Sequence, residues 1–339
     1  MAEHPQARPA RVTEQHRTRY VVAEHAEDAQ SAESLPEWQR PRCDPNERAA
    51  VGDWVLVEGD PGKLRIVALL PRRSVIKRGA AGEHYKQQLI AANVDTAFVV
   101  TGLDADFNPR RIERYLLLLQ GGGVQPVVVL TKLDIAVDAP NAVAALAMLA
   151  EQGVPVRSIN ARDADSVAAL QPWLGAGQTV VLVGSSGAGK STLTNTLLGI
   201  ERMKTGEVRE HDARGRHTTT HRALIALPQG ACLIDTPGMR ELKPTGEEQL
   251  DEAAFADVQA LTEHCRFRDC RHEKEPGCAL RAAVERGDLD PGRLANYLKL
   301  RDELAAAADT LATRQASKAN ARVQTKALQK RLDDKYGRH

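Results

Sequence analysis

A glycine-rich loop between an apolar run and a helical segment constrains this chain more than any other feature. Residues 184–191 (GSSGAGKS) follow the run TVVLV and precede TLTNTLLG. The pattern G-x-x-x-x-G-K-[ST] in this context is typical of a phosphate-binding loop, whose backbone N–H groups surround phosphate oxygens. Such a loop joins a buried parallel strand to a helix, so we expect an α/β domain here. The predicted nucleotide contacts of this segment are Gly184, Ser185, Ser186, Gly187, Ala188, Gly189, Lys190, Ser191 and Thr192.

Two side chains of this segment carry its expected chemistry. Lys190 supplies a positive charge to the β- and γ-phosphates, which makes it a candidate catalytic residue, and the Ser191 hydroxyl is a candidate Mg²⁺ ligand. Around the loop, short apolar runs alternate with helical segments, as in a parallel sheet covered by helices. These runs lie at 96–102, 124–132, 154–160, 179–184 and 231–235.

A second motif indicates which base the site reads. Residues 131–134 (TKLD) directly follow the run VVVL. In an [N/T]-K-x-D element the Asp carboxylate accepts hydrogen bonds from guanine N1–H and the exocyclic amine, a donor pair that adenine does not offer. The Lys132 stem can pack over the base. We therefore predict guanine-nucleotide contacts at Thr131, Lys132, Leu133 and Asp134.

A third motif, DTPG at 235–238, matches D-x-x-G. Asp235 is expected to hold Mg²⁺ through water and the Gly238 N–H to reach the γ-phosphate. Between this motif and the phosphate loop lies a polar stretch, residues 214–221 (RGRHTTTH). Within it, Thr219 is the candidate threonine that completes Mg²⁺ coordination. The residue after DTPG is Met239, where many GTPases carry the glutamine that orients the attacking water. We expect slow hydrolysis by the isolated chain.

Two sources could supply the missing catalytic group. His217 and His221 lie in the polar stretch and are candidate catalytic residues, and a partner molecule is the alternative. A histidine in a polar loop is otherwise simply solvated.

The order of these motifs is unusual, because TKLD precedes the phosphate loop in this chain. Ordinary GTPases carry the phosphate loop first and the base-reading motif near the end. The sequence therefore predicts a circularly permuted domain, which keeps its three-dimensional arrangement because the termini of compact domains often lie close together. The segment after DTPG then runs directly into the C-terminal region, so nucleotide state could reach that region mechanically.

A cluster of cysteines predicts a structural metal site. Cys265, Cys270, His272 and Cys278 offer three thiolates and an imidazole within fourteen residues, a set that suits tetrahedral zinc. Four protein ligands leave no open position for catalysis. His264 is the alternative nitrogen ligand.

The two ends of the chain have their own signatures. Short β-like runs with turn signals predict a small all-β barrel near the N-terminus, with a basic run at Arg72, Arg73, Lys77 and Arg78. Residues 314–339 hold eight Lys/Arg against two acids, a local charge of +6 on a predicted helix. These surfaces favour contact with nucleic-acid phosphates, although a merely solvated helix face is the alternative for the tail.

Composition excludes other classes of protein. The 339 residues are 42% hydrophobic, and 46 Lys+Arg against 45 Asp+Glu give a net charge of +1, so no global basic field is present. The first residues lack the apolar core of a secretory signal, and no run approaches the roughly 20 apolar residues of a membrane span. We expect a cytoplasmic protein with no membrane partner, in which clustered cysteines bind metal rather than form disulfides.

Taken together, the motifs closely resemble the ribosome small-subunit-dependent GTPases, circularly permuted enzymes of bacterial 30S maturation. The match spans about residues 11–310 and includes VGDWV at 51, AANVD at 91, TKLD, GSSGAGKST, RHTTTH, DTPGMRE and CRFRDCRHEKEPGC. Thr131 departs from the commonest residue of the family at that position, which is Asn.

The resemblance implies a multidomain fold: an N-terminal OB-fold barrel, a circularly permuted α/β P-loop GTPase domain and a C-terminal zinc-binding domain with helices. It further implies one structural Zn²⁺, Mg²⁺ bound with GTP, stimulation of hydrolysis by the small subunit and contact with its rRNA. We expect a monomer. The predicted ranges are a flexible tail at 1–8, the barrel at 9–91, the GTPase domain at 92–244, the zinc-binding domain at 245–313 and a basic helix or tail at 314–339.

Two other functions remain open at this point. An rRNA-binding nucleotide sensor would bind GTP tightly with little turnover. A metabolic P-loop kinase is opposed by TKLD and by the lack of an acceptor-site signature, and a preference for adenine would favour it.

Overall fold

The computed structural model describes residues 4–16, 19–25, 28–40, 43–79, 87–200, 222–235, 244–246, 248 and 255–336. Among these residues the chain forms a barrel, an α/β sheet that continues from it, and a helical C-terminal region. None of the helices in these ranges is both long enough and apolar enough to cross a bilayer.

The N-terminal region is a closed five-stranded barrel, which confirms the predicted all-β barrel. The strand order is β1-β2-β3-β5-β4, and β4 pairs back onto β1. Only the β3–β5 pair is parallel. Alternate side chains of β1, among them Ala10 and Val12, point into a core that also holds Tyr20 and Trp38. The strands are β1 (Arg8–Gln15), β2 (Arg19–Ala23), β3 (Gln30–Glu33), β4 (Trp54–Glu58) and β5 (Leu64–Leu69).

A two-stranded hairpin follows the barrel in sequence but packs elsewhere. Strands β6 (Val75–Gly79) and β7 (Gln87–Ala92) pair antiparallel. Their buried side chains Ile76 and Ile90 belong to the core beneath the α/β sheet, not to the barrel core. The segment 9–91, which the sequence assigns to the barrel, therefore includes a hairpin that is packed on the next domain.

The central part of the chain is a six-stranded sheet with the order β10-β9-β8-β11-β13-β12. The first five strands are parallel and β12 is antiparallel to β13. Strand β8 is buried at every position and reads TAFVVTG, the continuous apolar run of a strand covered on both faces. The strands are β8 (Thr96–Gly102), β9 (Gln125–Thr131), β10 (Val156–Ser158), β11 (Thr179–Val183), β12 (Ala223–Ala226) and β13 (Cys232–Asp235).

Helices cover both faces of this sheet and enclose two hydrophobic cores. Helix α1 begins where the Asn108 side chain accepts hydrogen bonds from the backbone N–H groups of Arg110 and Arg111, with Pro109 at its first position. It buries Ile112 against β8 and β9. The helices are α1 (Pro109–Gln120), α2 (Ala139–Ala144), α3 (Ala147–Glu151), α4 (Ala164–Val167) and α5 (Lys190–Leu198).

The C-terminal region consists of α6 (Ala256–Thr262), α7 (Ala279–Arg286) and the 46-residue helix α8 (Pro291–Tyr336). Phe255 and Tyr297 meet edge to face at 5.4 Å in the centre of its core. Leu117 of α1 belongs to the same core, so the C-terminal region packs directly on the α/β domain.

The barrel and the α/β sheet share a continuous hydrogen-bonded edge. Strand β1 pairs with β12 at Glu14 and Ala223. Beside this contact the Arg11 guanidinium donates to the carbonyls of Gly52 and Asn93 at 3.2 Å, and to the Thr179 hydroxyl at 2.8 Å. The first residue of β11 is thereby tied to the barrel.

Candidate functional site

The predicted nucleotide motifs meet at one edge of the sheet. In the parallel strands β8, β9, β11 and β13 the carboxyl ends lie side by side, at Gly102, Thr131, Val183 and Asp235. Ligands of open α/β sheets bind at this edge. Strand β9 precedes β11 in sequence yet lies beyond β8 in the sheet, so the base-reading segment reaches the phosphate loop although it comes first in the chain.

Glycine is required at two positions where the loop passes its neighbours closely. Gly184 has φ +146°, and a Cβ atom there would lie 2.1 Å from the Val100 carbonyl oxygen of β8. Gly189 has φ +90°, and its Cβ would lie 3.1 Å from Thr131 Oγ1. Both conformations disfavour side chains, and any side chain at Gly184 would displace the loop. The predicted glycine spacing therefore corresponds to real steric limits.

Lys190 begins helix α5 and folds back over the loop. Its Nζ donates to the Gly184 carbonyl at 2.8 Å and also to the Ser185 carbonyl. Ser191 follows in the first turn of the same helix. The positive end of the helix dipole and the lysine charge lie on one side of the loop, which is the arrangement that binds a phosphate group.

Thr131 joins the two predicted nucleotide motifs. Its side chain is completely buried, and its hydroxyl donates to the Ala188 carbonyl of the phosphate loop at 2.6 Å. The next residue, Lys132, has φ +62°, which turns the chain out of the strand. The Thr131 hydroxyl therefore holds the phosphate loop against the end of β9.

Asp134 lies in a short 3₁₀ helix, Leu133–Ile135, at the exposed edge of the site. The Leu133 N–H donates to the Ile159 carbonyl at 3.2 Å, so the end of β10 lies directly beside this turn. The following Asn160 side chain accepts from the Arg162 N–H at 3.0 Å. The Asp134 carboxylate is thus placed at the protein surface, beside a second ordered turn.

Two acidic residues of the site lie in the turn after β8 and were missed in the sequence. Asp104 pairs with Lys132 Nζ, and Gly102 leaves room for that lysine because a Cβ there would lie 3.2 Å from its stem. Asp106 accepts a hydrogen bond from the Ser185 hydroxyl at 2.5 Å. The detectable signal was D-x-D at 104–106, separated by one residue from the end of a buried strand.

Asp106 is held in its ionised form. Burial opposes the charge, but hydrogen bonds from Arg111 and Ser185 outweigh it and lower the pKa of Asp106 below its ordinary value. Arg111 Nη1 lies 2.7 and 2.8 Å from the two carboxylate oxygens.

Several predicted site residues lie outside the part of the chain that the structure describes. They are His217, Thr219, His221 and Gly238, together with Met239. Asp235 is described, and it ends β13 next to the strand that feeds the phosphate loop.

The predicted zinc ligands converge. One donor atom from each of Cys265, Cys270, His272 and Cys278 lies within 4.8 Å of all the others. His272 Nδ1 is 3.6 Å from Cys265 Sγ and 3.5 Å from Cys278 Sγ. Tetrahedral zinc with its usual Zn–S and Zn–N bond lengths places sulfur and nitrogen about 3.6 Å apart. The donor set and its spacing therefore fit a four-coordinate zinc ion.

Local structure fixes the orientation of these ligands. Cys278 is the residue immediately before α7, and the Ala279 N–H donates to Cys265 Sγ at 3.4 Å. His272 has φ +66°, a turn that carries its ring inward. Burial and the positive charge of Arg301 lower the pKa of His272, which favours the neutral, metal-binding form. The alternative ligand His264 instead contacts the Ala260 carbonyl at 2.8 Å.

The basic run that the sequence assigns to the barrel is not one surface in the structure, because Lys77 and Arg78 lie on β6 of the hairpin. Arg72 is mostly buried and donates to both carboxylate oxygens of the fully buried Asp53, at 2.8 and 2.7 Å. It also donates to the carbonyls of Asn46 and Arg48. Arg73 is 74% exposed. The prediction of a phosphate-binding run is therefore wrong for Arg72, because its guanidinium is paired with Asp53 inside the protein.

Comparison with known proteins decides the family. The family model described as RsgA GTPase matches residues 69–245. A protein of Xanthomonas axonopodis pv. citri (strain 306) named "Small ribosomal subunit biogenesis GTPase RsgA" is 68% identical over 338 residues, which cover 100% of this chain and 92% of that protein. This chain belongs to the RsgA GTPase family.

Other comparisons agree with the RsgA family assignment. A protein with the same printed name from Xanthomonas euvesicatoria pv. vesicatoria (strain 85-10) is 70% identical over 315 residues, covering 93% of this chain and 86% of that protein. A family model of a different kind, described as ABC transporter, matches residues 170–331, a range that includes the phosphate loop at 184–191 but not TKLD at 131–134.

Two solved structures show the same fold as this RsgA family chain. "YloQ, a circularly permuted GTPase" has a TM-score of 0.59 at 22% identity and covers 90% of this chain and 98% of its own. "YjeQ from Thermotoga maritima" has a TM-score of 0.59 at 24% identity and covers 88% and 99%. The predicted circular permutation is confirmed, and it explains why strands β8, β9 and β10 precede the phosphate-loop strand β11 in the chain.

Proposed function

We propose that this chain binds GTP at the carboxyl edge of its sheet and hydrolyses it during maturation of the small ribosomal subunit. The observation that carries the proposal is the convergence of the phosphate loop, TKLD and Asp235 at one edge, out of sequence order. Family membership and the printed names of its relatives support the cellular role.

Each part of the site has a proposed task. The loop amides, with Lys190, hold the phosphates, and Lys190 neutralises charge on the transferred γ-phosphoryl group. Asp134 accepts the two guanine donors, while Thr131, Lys132 and Leu133 place it. Ser191, Thr219 and Asp235 are the oxygen ligands for Mg²⁺, which prefers such ligands together with nucleotide phosphates. Gly238 contacts the γ-phosphate through its N–H.

Hydrolysis is proposed to depend on a partner. Met239 stands at the position of the usual water-orienting glutamine and its thioether cannot orient water. His217, His221 or a group from the ribosomal subunit completes the site. The absence of the water-orienting glutamine also favours a second candidate function, in which the chain binds rRNA and senses GTP and GDP with little turnover.

The zinc site, the barrel and the basic C-terminal segment are proposed to serve binding to the ribosomal subunit. Zinc held by three cysteines and His272 has no open coordination position and is structural. The barrel and the basic C-terminal segment, residues 314–339, are proposed to meet rRNA phosphates. We propose a cytoplasmic monomer that binds GTP, GDP and the small subunit.

Turnover measurements test this function. GTP hydrolysis is measured for the chain alone, with small subunits and with large subunits, at matched salt because phosphate contacts are sensitive to salt. The proposal expects slow hydrolysis alone and selective stimulation by small subunits, abolished in Lys190→Ala. Tight GTP binding without stimulation by either subunit would support the sensor function instead.

A further inference from the structure

The turn between β8 and α1 contacts both nucleotide motifs through two carboxylates. Asp104 pairs with Lys132 of the base-reading segment, and Asp106 accepts from the Ser185 hydroxyl of the phosphate loop at 2.5 Å. The turn is itself ordered, since the Asp106 N–H donates to Asp104 Oδ1 at 3.1 Å and the Phe107 N–H to the Asp104 carbonyl at 2.9 Å. One short segment therefore fixes both sides of the site.

Helix α1 holds this turn from the other end. Arg111, in its first turn, places Nη1 2.7 and 2.8 Å from the two oxygens of Asp106. The Asn108 side chain caps the same turn by accepting from the Arg111 N–H at 3.2 Å. A charged acceptor makes a stronger hydrogen bond than a neutral one, so the bond from Ser185 to Asp106 is a firm restraint on the loop.

Helix α1 also contacts the C-terminal region through two charged residues. Glu113 accepts from Arg293 at 2.5 Å and from Asn296 at 2.6 Å, and Arg114 pairs with Glu303 at 2.5 Å. Both Arg293 and Glu113 are only 15% exposed. A chain of contacts thus runs from α8 through α1 and Asp106 to Ser185.

We propose that Asp106 is a positioning residue of the nucleotide site, which holds the phosphate loop through Ser185 and is itself oriented by Arg111. It does not contact nucleotide. It preorganises the loop, so less ordering is required when GDP or GTP binds. This inference rests on the proposed use of residues 184–191 as the phosphate site.

The test is a double-mutant cycle on GDP affinity, measured with a fluorescent GDP analogue and the full-length, zinc-loaded protein. We expect Asp106→Ala and Ser185→Ala each to weaken GDP binding about tenfold, the loss typical of one hydrogen bond to a charged group. Asp106→Asn keeps an acceptor for Ser185 but loses the charge, so its loss should be smaller. Combining both Ala substitutions should add little, because either one removes the same bond.

Two controls separate positioning from general stability. Asp288→Asn disrupts a surface Arg–Asp pair, Arg286 to Asp288 at 2.8 Å, far along the chain from the site, and should leave GDP affinity unchanged. Thermal unfolding midpoints of the Asp106 and Ser185 variants should stay within a few degrees of wild type.

The outcomes are distinguishable. If wild type and Asp288→Asn fail to bind GDP, the proposed function fails. If wild type binds GDP, Lys190→Ala does not, and the Asp106 variants bind as well as wild type, only the positioning role is overturned. Fully additive losses in the double variant would also overturn it, because they would mean that the two side chains act separately.

Discussion

Arg72 and Arg73 are neighbours in sequence with opposite roles in the structure. Arg72 satisfies the buried Asp53 carboxylate and two backbone carbonyls, while the Arg73 side chain is mostly in solvent. Removing one member of a buried ion pair leaves the other charge uncompensated, which typically costs about 3–5 kcal/mol.

Arg72→Ala is therefore expected to lower the free energy of unfolding by about 3–5 kcal/mol. Arg73→Ala, the matched control, should change it by less than about 1 kcal/mol, as for an exposed pair. Chemical denaturation followed by circular dichroism measures both. Equal effects of the two substitutions would contradict the buried role of Arg72.

Thr131 is a second residue whose role can be tested by substitution, because its hydroxyl holds the phosphate loop through one hydrogen bond. Thr131→Val preserves shape but leaves the Ala188 carbonyl without its hydroxyl donor, and we expect a loss of about 1–3 kcal/mol in stability together with weaker GDP binding. Thr131→Ser keeps the donor and should stay close to wild type. Denaturant melts and fluorescent GDP titrations provide the readouts, and a Val variant as stable and as tight-binding as wild type would disprove the contact's importance.

The residue type is easiest to interpret where backbone geometry dictates it. Gly184 and Gly189 were assigned to the phosphate loop from spacing, and the structure shows the close approaches that demand them. Asp104 and Asp106 were not found, because an acidic residue in a turn is ordinarily only solvated. Arg72 was misassigned because sequence carries no sign of the distant Asp53 that neutralises it.

At the scale of elements, the Glu275 carboxylate helps to shape the zinc loop, the segment 265–278 that carries the four zinc ligands. Backbone N–H groups, including those of Arg271, Glu273 and Lys274 at 3.1, 3.0 and 3.1 Å, donate to Glu275 and lower its pKa to about 2. Because the folded pKa lies below the ordinary one, this stabilisation is complete above about pH 4.5 and is lost as the pH falls towards 2.

Glu275→Gln should therefore loosen the turn that carries His272 and speed zinc loss to a chelator at neutral pH. Glu273→Gln changes a neighbouring carboxylate that makes none of these bonds and should lose zinc at the wild-type rate. A colorimetric chelator assay follows release, with one zinc expected per chain. Identical release rates for the two variants would show that Glu275 does not shape the site.

The short elements were the most accurately predicted part of the fold. The run at 96–102 is β8 to the residue, and the runs at 179–184 and 231–235 correspond to β11 and β13 within one residue at each end. The hairpin β6–β7 looks like part of the barrel in sequence, since its alternation is the same. Only tertiary packing of Ile76 and Ile90 shows which core it joins.

At the scale of the whole molecule, circular permutation places the C-terminal region directly after the segment that follows Asp235. Residues 244–246 lie against the middle of α8, where a Cβ on Gly246 would be 2.5 Å from the Ala307 carbonyl oxygen. If residues 244–246 move when GTP replaces GDP, they will therefore displace or release the part of α8 around Ala307. The order of motifs in the sequence predicts this connection, but not the point of contact.

We expect hydrogen exchange around Ala307 to differ between the GDP form and a form with a non-hydrolysable GTP analogue. Lys190→Ala, which should bind neither nucleotide, is the control and should show no difference. Mass spectrometry of peptides from residues 245–339 measures the effect. Identical exchange in both wild-type forms would mean that nucleotide state is not transmitted along this route.

The central claim is that strands in permuted order build one guanine-nucleotide site, and nucleotide selectivity of Asp134→Asn tests it most directly. Asparagine accepts from the base N1–H but donates where aspartate accepted, so it matches xanthine, which carries a carbonyl oxygen in place of the exocyclic amine of guanine. Competition binding should show wild type preferring GTP and the variant preferring XTP, with equal thermal stability. Unchanged GTP preference in the variant would contradict the claim, because TKLD would then not read the base held by the phosphate loop.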